Sequence, residues 1–188
     1  MKESAFMKKK LLMVALSIAM AFAAAVPAFA SEGVVSRAAP PICKNVIIRN
    51  SADLSQIVTV ASSATPGEND EVWTWTDRGM VLTQRWNFVA NNRGPGHYYL
   101  CPSQDPSIAL NVYRSGSYPC TMFTAGGANA LDTDLTVGRL GNQYTIFNIA
   151  NARYLNMTNT QKYKFSDGYG FGLNWIKSQG KINWLLDQ

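Results

Sequence analysis

The sequence predicts an all-β domain built from three imperfect copies of one unit, and three observations carry that prediction. Short runs rich in β-branched and aromatic residues recur between clusters of Gly, Pro, Asn, Asp and Ser. No stretch after residue 30 keeps a helical 3.6-residue period over ten positions. Three segments follow the same order of an opening extended run, a second strand and a closing aromatic.

The strand-like runs are residues 45–49, 57–60, 72–75, 86–89, 109–113 and 144–147, and the turn clusters include 65–70, 91–96 and 166–170. The opening runs of the three units are 46–50, 86–91 and 144–148, and the second strands contain 57–60, 98–101 and 153–157. Each unit closes on an aromatic, at Trp86, Tyr144 and Trp184. These closing residues are 58 and 40 positions apart, so the middle unit is expected to carry an insertion. Three such units favour pseudo-threefold closure around a shared core, whereas a two-sheet sandwich is the structural alternative.

The unit details resemble the ricin-type β-trefoil lectins, whose units carry a Cys-Leu-Asp-Val-like strand, a later Leu-Trp and a closing Gln-x-Trp. In the first unit, Val72-Trp73-Thr74-Trp75 falls at the Leu-Trp and Gln84-Arg85-Trp86 is a full Gln-x-Trp. In the second, Cys101 and Cys120 are 19 positions apart, similar to the family's disulfide, and Tyr118 takes a Trp position two residues before Cys120. The closing motif there is reduced to Asn142-Gln143-Tyr144. The third has Tyr154-Leu155-Asn156-Met157, then Leu173-Asn174-Trp175 and Ile182-Asn183-Trp184. The resemblance spans residues 45–186 and implies a β-trefoil that binds carbohydrate without catalysis.

It also implies how a sugar would be held: an acid and an amide hydrogen-bond hydroxyls while an aromatic ring covers the apolar C–H face. Carried over, the first unit offers Thr59, Trp75, Thr83 and Gln84, with Thr59 standing where the acid should be and Thr83 where the Asn should be. The second offers Ser103 and Tyr118. The third offers Asn156, with Phe171 or Trp175 as the ring, and ranks first. Loss of the acids motivates the competing function, a trefoil that binds protein, such as a protease inhibitor or a toxin subunit with decayed sugar sites.

The resemblance and the export signal together imply a Cys101–Cys120 disulfide. The other reading of Cys101 is a catalytic thiol with His97, the only histidine, four residues before it. Cys43 is left over, either as an intermolecular partner or as an incidental thiol. One histidine and three cysteines 58 and 19 apart match no zinc pattern, so neither a metal nor another cofactor is expected. Asp132-Thr133-Asp134 and the acids of 68–71 are the close acidic groups, read here as solvated turns.

The N-terminal 30 residues read as a secretory signal: Lys8, Lys9 and Lys10 precede an apolar run from Leu11 to Val26, and Ala28-Phe29-Ala30 closes it. Residues 31–44 follow as a flexible or loosely docked lead-in, and 45–188 as the trefoil domain. Cleavage removes four lysines and one glutamate, which lowers the formal charge from +5 to +2. That balance argues against nucleic-acid binding. No apolar stretch after Ala30 reaches membrane-span length. The expected product is a secreted protein, extracellular or periplasmic, whose partner is a glycan or glycoprotein.

Overall fold

The computed structural model describes residues 36–61, 65–79, 82–127, 130–178 and 180–188. The signal segment 1–30 and the first five residues of the lead-in lie outside them.

Among the described residues every regular element but one is a strand. In chain order these are β1 (Ser36–Arg37), β2 (Ile47–Asn50), β3 (Asp53–Val60), β4 (Val72–Thr76), β5 (Trp86–Ala90), β6 (His97–Pro102) and β7 (Ile108–Val112). They continue with β8 (Cys120–Thr124), β9 (Leu135–Leu140), β10 (Gln143–Asn148), β11 (Arg153–Phe165), β12 (Gly168–Ile176) and β13 (Trp184–Asp187). A single 3-10 turn, Leu82–Gln84, precedes β5.

Six strands run side by side in the order β2, β13, β10, β9, β6, β5, and the bridge from Val46 to Trp86 closes the row on itself. A closed row leaves no open edge inside the barrel. The lead-in is not loose from Ser36 onward: β1 pairs with β9, and the Phe88 N–H donates to the Cys43 carbonyl at 2.9 Å.

Three hairpins, β3–β4, β7–β8 and β11–β12, cap the barrel. Their registers place Val60 opposite Val72, Val112 opposite Cys120 and Met157 opposite Leu173. All six residues belong to one apolar core. The hairpins are then tied in a cycle, because the residue just before Val72, Cys120 or Leu173 meets the residue just after it in the next unit. These links are Glu71 to Thr121, Pro119 to Asn174, and Gly172 to Trp73. That cyclic pattern is a pseudo-threefold axis written in backbone pairing.

The closing residues follow from the same symmetry. The Trp86 indole N–H donates to the Val58 carbonyl at 2.9 Å and that of Trp184 to the Leu155 carbonyl at 3.3 Å. Val58 and Leu155 hold equivalent places, so the two tryptophans do too. In the second unit the place belongs to Leu135 and not to Tyr144. Leu135 sits opposite Asn148 as Trp184 sits opposite Asn50. Leu135 lies 49 positions after Trp86 and 49 before Trp184, so the expected insertion between closing residues is absent. Tyr144 stands opposite Trp184 as Val46 stands opposite Trp86. All four of Trp86, Leu135, Tyr144 and Trp184 still meet in the common core.

The expected Cys101–Cys120 disulfide does not form; both are free thiols. Cys120 occupies the position of Val72 and Leu173 and points into the core. On β6 it is Leu100 that joins the core, and strand alternation turns its neighbour Cys101 to the other face. Burial pushes the Cys101 thiol up to about 12 and holds that of Cys120 well above the ordinary range.

Two outcomes test this packing. Thiol titration of the native protein should find Cys43 reactive and Cys101 and Cys120 silent until denaturant is added; a native titre of zero or of three would contradict it. Trp184→Ala should cost about 3–5 kcal/mol in chemical denaturation, or prevent folding, because it empties a core site.

Candidate functional site

The residue after Val58, Leu110 and Leu155 in the three hairpins is Thr59, Asn111 and Asn156. Alternation turns each of them away from the core. What surrounds each decides whether a site is open.

At the first, Thr59, Trp75, Thr83 and Gln84 are brought together, as expected, in a cleft of about 580 Å³. Trp73 and Arg78 complete the first-unit side, and Phe165 and Asp167 reach in from the third-unit hairpin. Two of these polar side chains, Thr59 and Gln84, are already committed. The Thr59 hydroxyl donates to the Ile57 carbonyl at 2.8 Å. The Gln84 amide donates to Thr59 Oγ1 and to the Thr76 carbonyl at 3.2 and 3.0 Å, and its oxygen accepts the Arg78 N–H at 3.1 Å.

Of the rings, Phe165 is the most open, whereas Trp75 is 7% exposed. Trp75 lies 5.9 Å from Phe165 and Trp73 lies 4.6 Å from Tyr163, ring centre to ring centre. Tyr163 and Phe165 stack at 6.2 Å, and Phe165 is 63% exposed. Arg78 stands 5.6 Å over the Trp75 ring and forms an ion pair with Asp167. Lys162 stands over Trp73 and pairs with Glu71. Next along the chain, the Gly79 N–H and then Arg49 hold the Asp77 carboxyl below the usual carboxylate range.

Glycines let the third hairpin reach this cleft. A Cβ on Gly170 would sit 2.1 Å from the Thr74 carbonyl oxygen, so only glycine allows β12 to lie against β4 there. The Tyr169 N–H donates to Thr76 Oγ1 and the Phe171 N–H to Thr74 Oγ1, at 3.1 and 3.0 Å.

At the second position a cleft of about 540 Å³ is lined by Asn111, Tyr113, Arg114, Leu131 and Asp132. It corresponds to the first, because Leu131 and Asp132 precede Leu135 as Leu82 and Thr83 precede Trp86. Asn111 is 4% exposed; its amide N–H donates to Thr121 Oγ1 at 3.1 Å, and its oxygen has no partner. Asp132 accepts from Arg114 Nε at 2.8 Å and Asn151 Nδ2 at 2.8 Å.

No protein-family profile and no curated protein sequence matches this chain. Solved structures do. The designed threefold-symmetric protein ThreeFoil superposes with a TM-score of 0.61 at 17% identity, covering 76% of this chain and 97% of that one. A mosquitocidal holotoxin gives 0.61 at 16% identity over 79% of this chain, which spans 17% of the holotoxin chain. SeviL, solved with an asialo-GM1 saccharide, gives 0.57 at 16% identity, over 78% of this chain and 98% of its own.

The fold is a β-trefoil.

Within the trefoil, several sequence-based site assignments move. Ser103 and Tyr118 do not line the second cleft. Ser103 donates its N–H to the Arg85 carbonyl, and the Tyr118 ring is covered by Arg153 at 3.5 Å. The signal for the true position was Ala109-Leu110-Asn111-Val112, a closer match to Cys-Leu-Asp-Val than anything near Cys101.

The third site, ranked first from the sequence, is closed by the chain itself. Asn156 donates to Asn174 Oδ1 and accepts the Lys181 N–H, both at 2.8 Å, which also buries the one glycosylation sequon at Asn156. Trp175 is a core residue whose indole donates to the Asn111 carbonyl at 3.2 Å. It sits opposite Leu155 as Thr74 sits opposite Val58, so it is not the counterpart of Trp75. Phe171 packs against the core beneath Lys181.

His97 Nδ1 is 3.0 Å from Asp134 Oδ1, which also accepts from Asn91 Nδ2 at 2.8 Å. Asp132 and Asp134 are buried and engaged separately, in place of the solvated turn expected. No group of three metal-ligating side chains occurs among the described residues, and none of their helices is long and apolar enough to cross a membrane.

Gly170→Ala should cost about 1–3 kcal/mol by forcing β12 off β4. Thermal melting checks it, and an unchanged midpoint would mean that the close approach does not hold.

Proposed function

We propose that this chain is an exported, non-enzymatic carbohydrate-binding module, the glycan- or glycoprotein-recognising part of a toxin or adhesion system. The observation that carries the reading is the first cleft, where Trp73, Trp75 and Phe165 supply apolar ring surface beside Arg78, Asp167 and Thr83. Sugars present an apolar C–H face and a hydroxylated rim, and such a mixture suits both. The second cleft adds support, because it places the exposed Tyr113 ring beside the polar side chains of Arg114, Ser115 and Asp132. Two trefoil neighbours add weight: one was solved with a saccharide and the other is a holotoxin.

Export rests on the signal-like segment 1–30, and a mature chain beginning at Ser31 by mass spectrometry tests it. The non-enzymatic reading is supported by Cys101, whose thiol burial keeps protonated. A second reading, a trefoil that binds protein, draws on the exposed Tyr163–Phe165 stack and on the internal commitment of Thr59 and Gln84.

Titration with a panel of glycans, followed by tryptophan fluorescence, separates the two. Saturable quenching is expected, and Phe165→Ala should weaken it about tenfold, the loss of one ring contact plus the apolar area it covers. A folded protein that responds to no glycan would sink the carbohydrate reading and leave the protein-binding one.

A further inference from the structure

We propose that the first cleft is selective for sugar acids, with the Arg78 guanidinium reading the ligand's carboxylate. The inference rests on the carbohydrate reading of that cleft and specifies its ligand class. It begins with which groups are free to read a ligand. Thr59 and Gln84 are spent on each other and on backbone carbonyls, which leaves Thr83 and Ser166 as the neutral hydroxyls of the lining and Arg78 and Asp167 as its charged groups.

The only charged residues among those lining the cleft are Arg78 and Asp167. Their ion pair is exposed, with side chains 41% and 58% accessible, and such pairs in water hold weakly. Asp167 sits on the turn between β11 and β12, while the acid beside Arg78 in sequence, Asp77, is committed elsewhere. Asp77 accepts from Arg49 at 2.9 Å and from the Gly79 N–H at 2.7 Å, so it does not compete for Arg78.

The guanidinium lies over the Trp75 ring, in the space where a neutral sugar would stack. A neutral ligand must share that ring with a cation and offers nothing in exchange for disturbing its partner. A sugar acid places a carboxylate on Arg78 in paired N–H···O bonds, takes over from Asp167, and lays its ring alongside Trp75 and Phe165.

The test uses the intact folded protein and matched pairs: methyl glucuronide against methyl glucoside, and galacturonic acid against galactose. N-acetylneuraminic acid forms a further arm and acetate a control. The acid member of at least one pair should bind about tenfold tighter or better, as one charge-assisted contact implies, and added salt should erode the difference. Arg78→Gln should bring acid and neutral members to parity with melting unchanged, and Asp167→Asn should tighten acid binding by removing the internal competitor. Equal binding within every pair, a preference that survives Arg78→Gln, or loss of neutral-sugar binding in Asp167→Asn would each overturn the proposal while leaving the carbohydrate reading intact. Acetate matching the sugar acids would overturn it as well, since the cleft would then read a carboxylate alone. Binding of no sugar at all would overturn both.

Discussion

The whole arrangement depends on the apolar contact at the pseudo-threefold axis, where Val72, Cys120 and Leu173 enter one core from three hairpins. A β-hairpin alone is marginal in water, because it buries one face at most. Here each hairpin finds its second face in the other two, and the cyclic backbone links fix the angle at which they meet. The indoles of Trp86 and Trp184 extend this beneath the cap, each filling core volume and giving its N–H to a carbonyl of its own unit's hairpin. Everything facing outward is free to vary once these positions are satisfied.

That division explains which parts of the molecule were legible in the sequence. Strand existence follows from local pattern, so β2 to β5, β7 and β10 could be read directly, and Gln84-Arg85-Trp86 marked one unit firmly. The second unit was misread for a physical reason. Cys120 serves as a core hydrophobe in the place of Val72 and Leu173, and free cysteine packs there as well as valine does. Its spacing of 19 from Cys101 imitates a disulfide and draws the apparent register of the unit away from Asn111. Leu135 gave no signal either, since a leucine at a tryptophan position fills the same core without advertising the repeat.

The third unit shows the limit of motif transfer. Trp75 and Trp175 look interchangeable in a sequence, two residues beyond Trp73 and Leu173. Hairpin register makes Trp175 the counterpart of Thr74, and it faces the core while Trp75 borders a cleft. Whether Asn156 reads a ligand was likewise beyond sequence reasoning, because the Lys181 N–H that occupies it arrives from 25 residues away. By contrast, the grouping of Thr59, Trp75, Thr83 and Gln84 was recoverable, because their spacing lies within one unit.

The long third hairpin has a further bearing. Phe165 and Asp167 border a cleft whose remaining walls come from the first unit, so the cleft is assembled from two segments far apart in the chain. During synthesis the cleft stays one-sided until the turn after β11 has been made. A copy clipped behind β10 would lack one side of the cleft however well the earlier strands were ordered, which couples completion of the cleft to synthesis of the third hairpin.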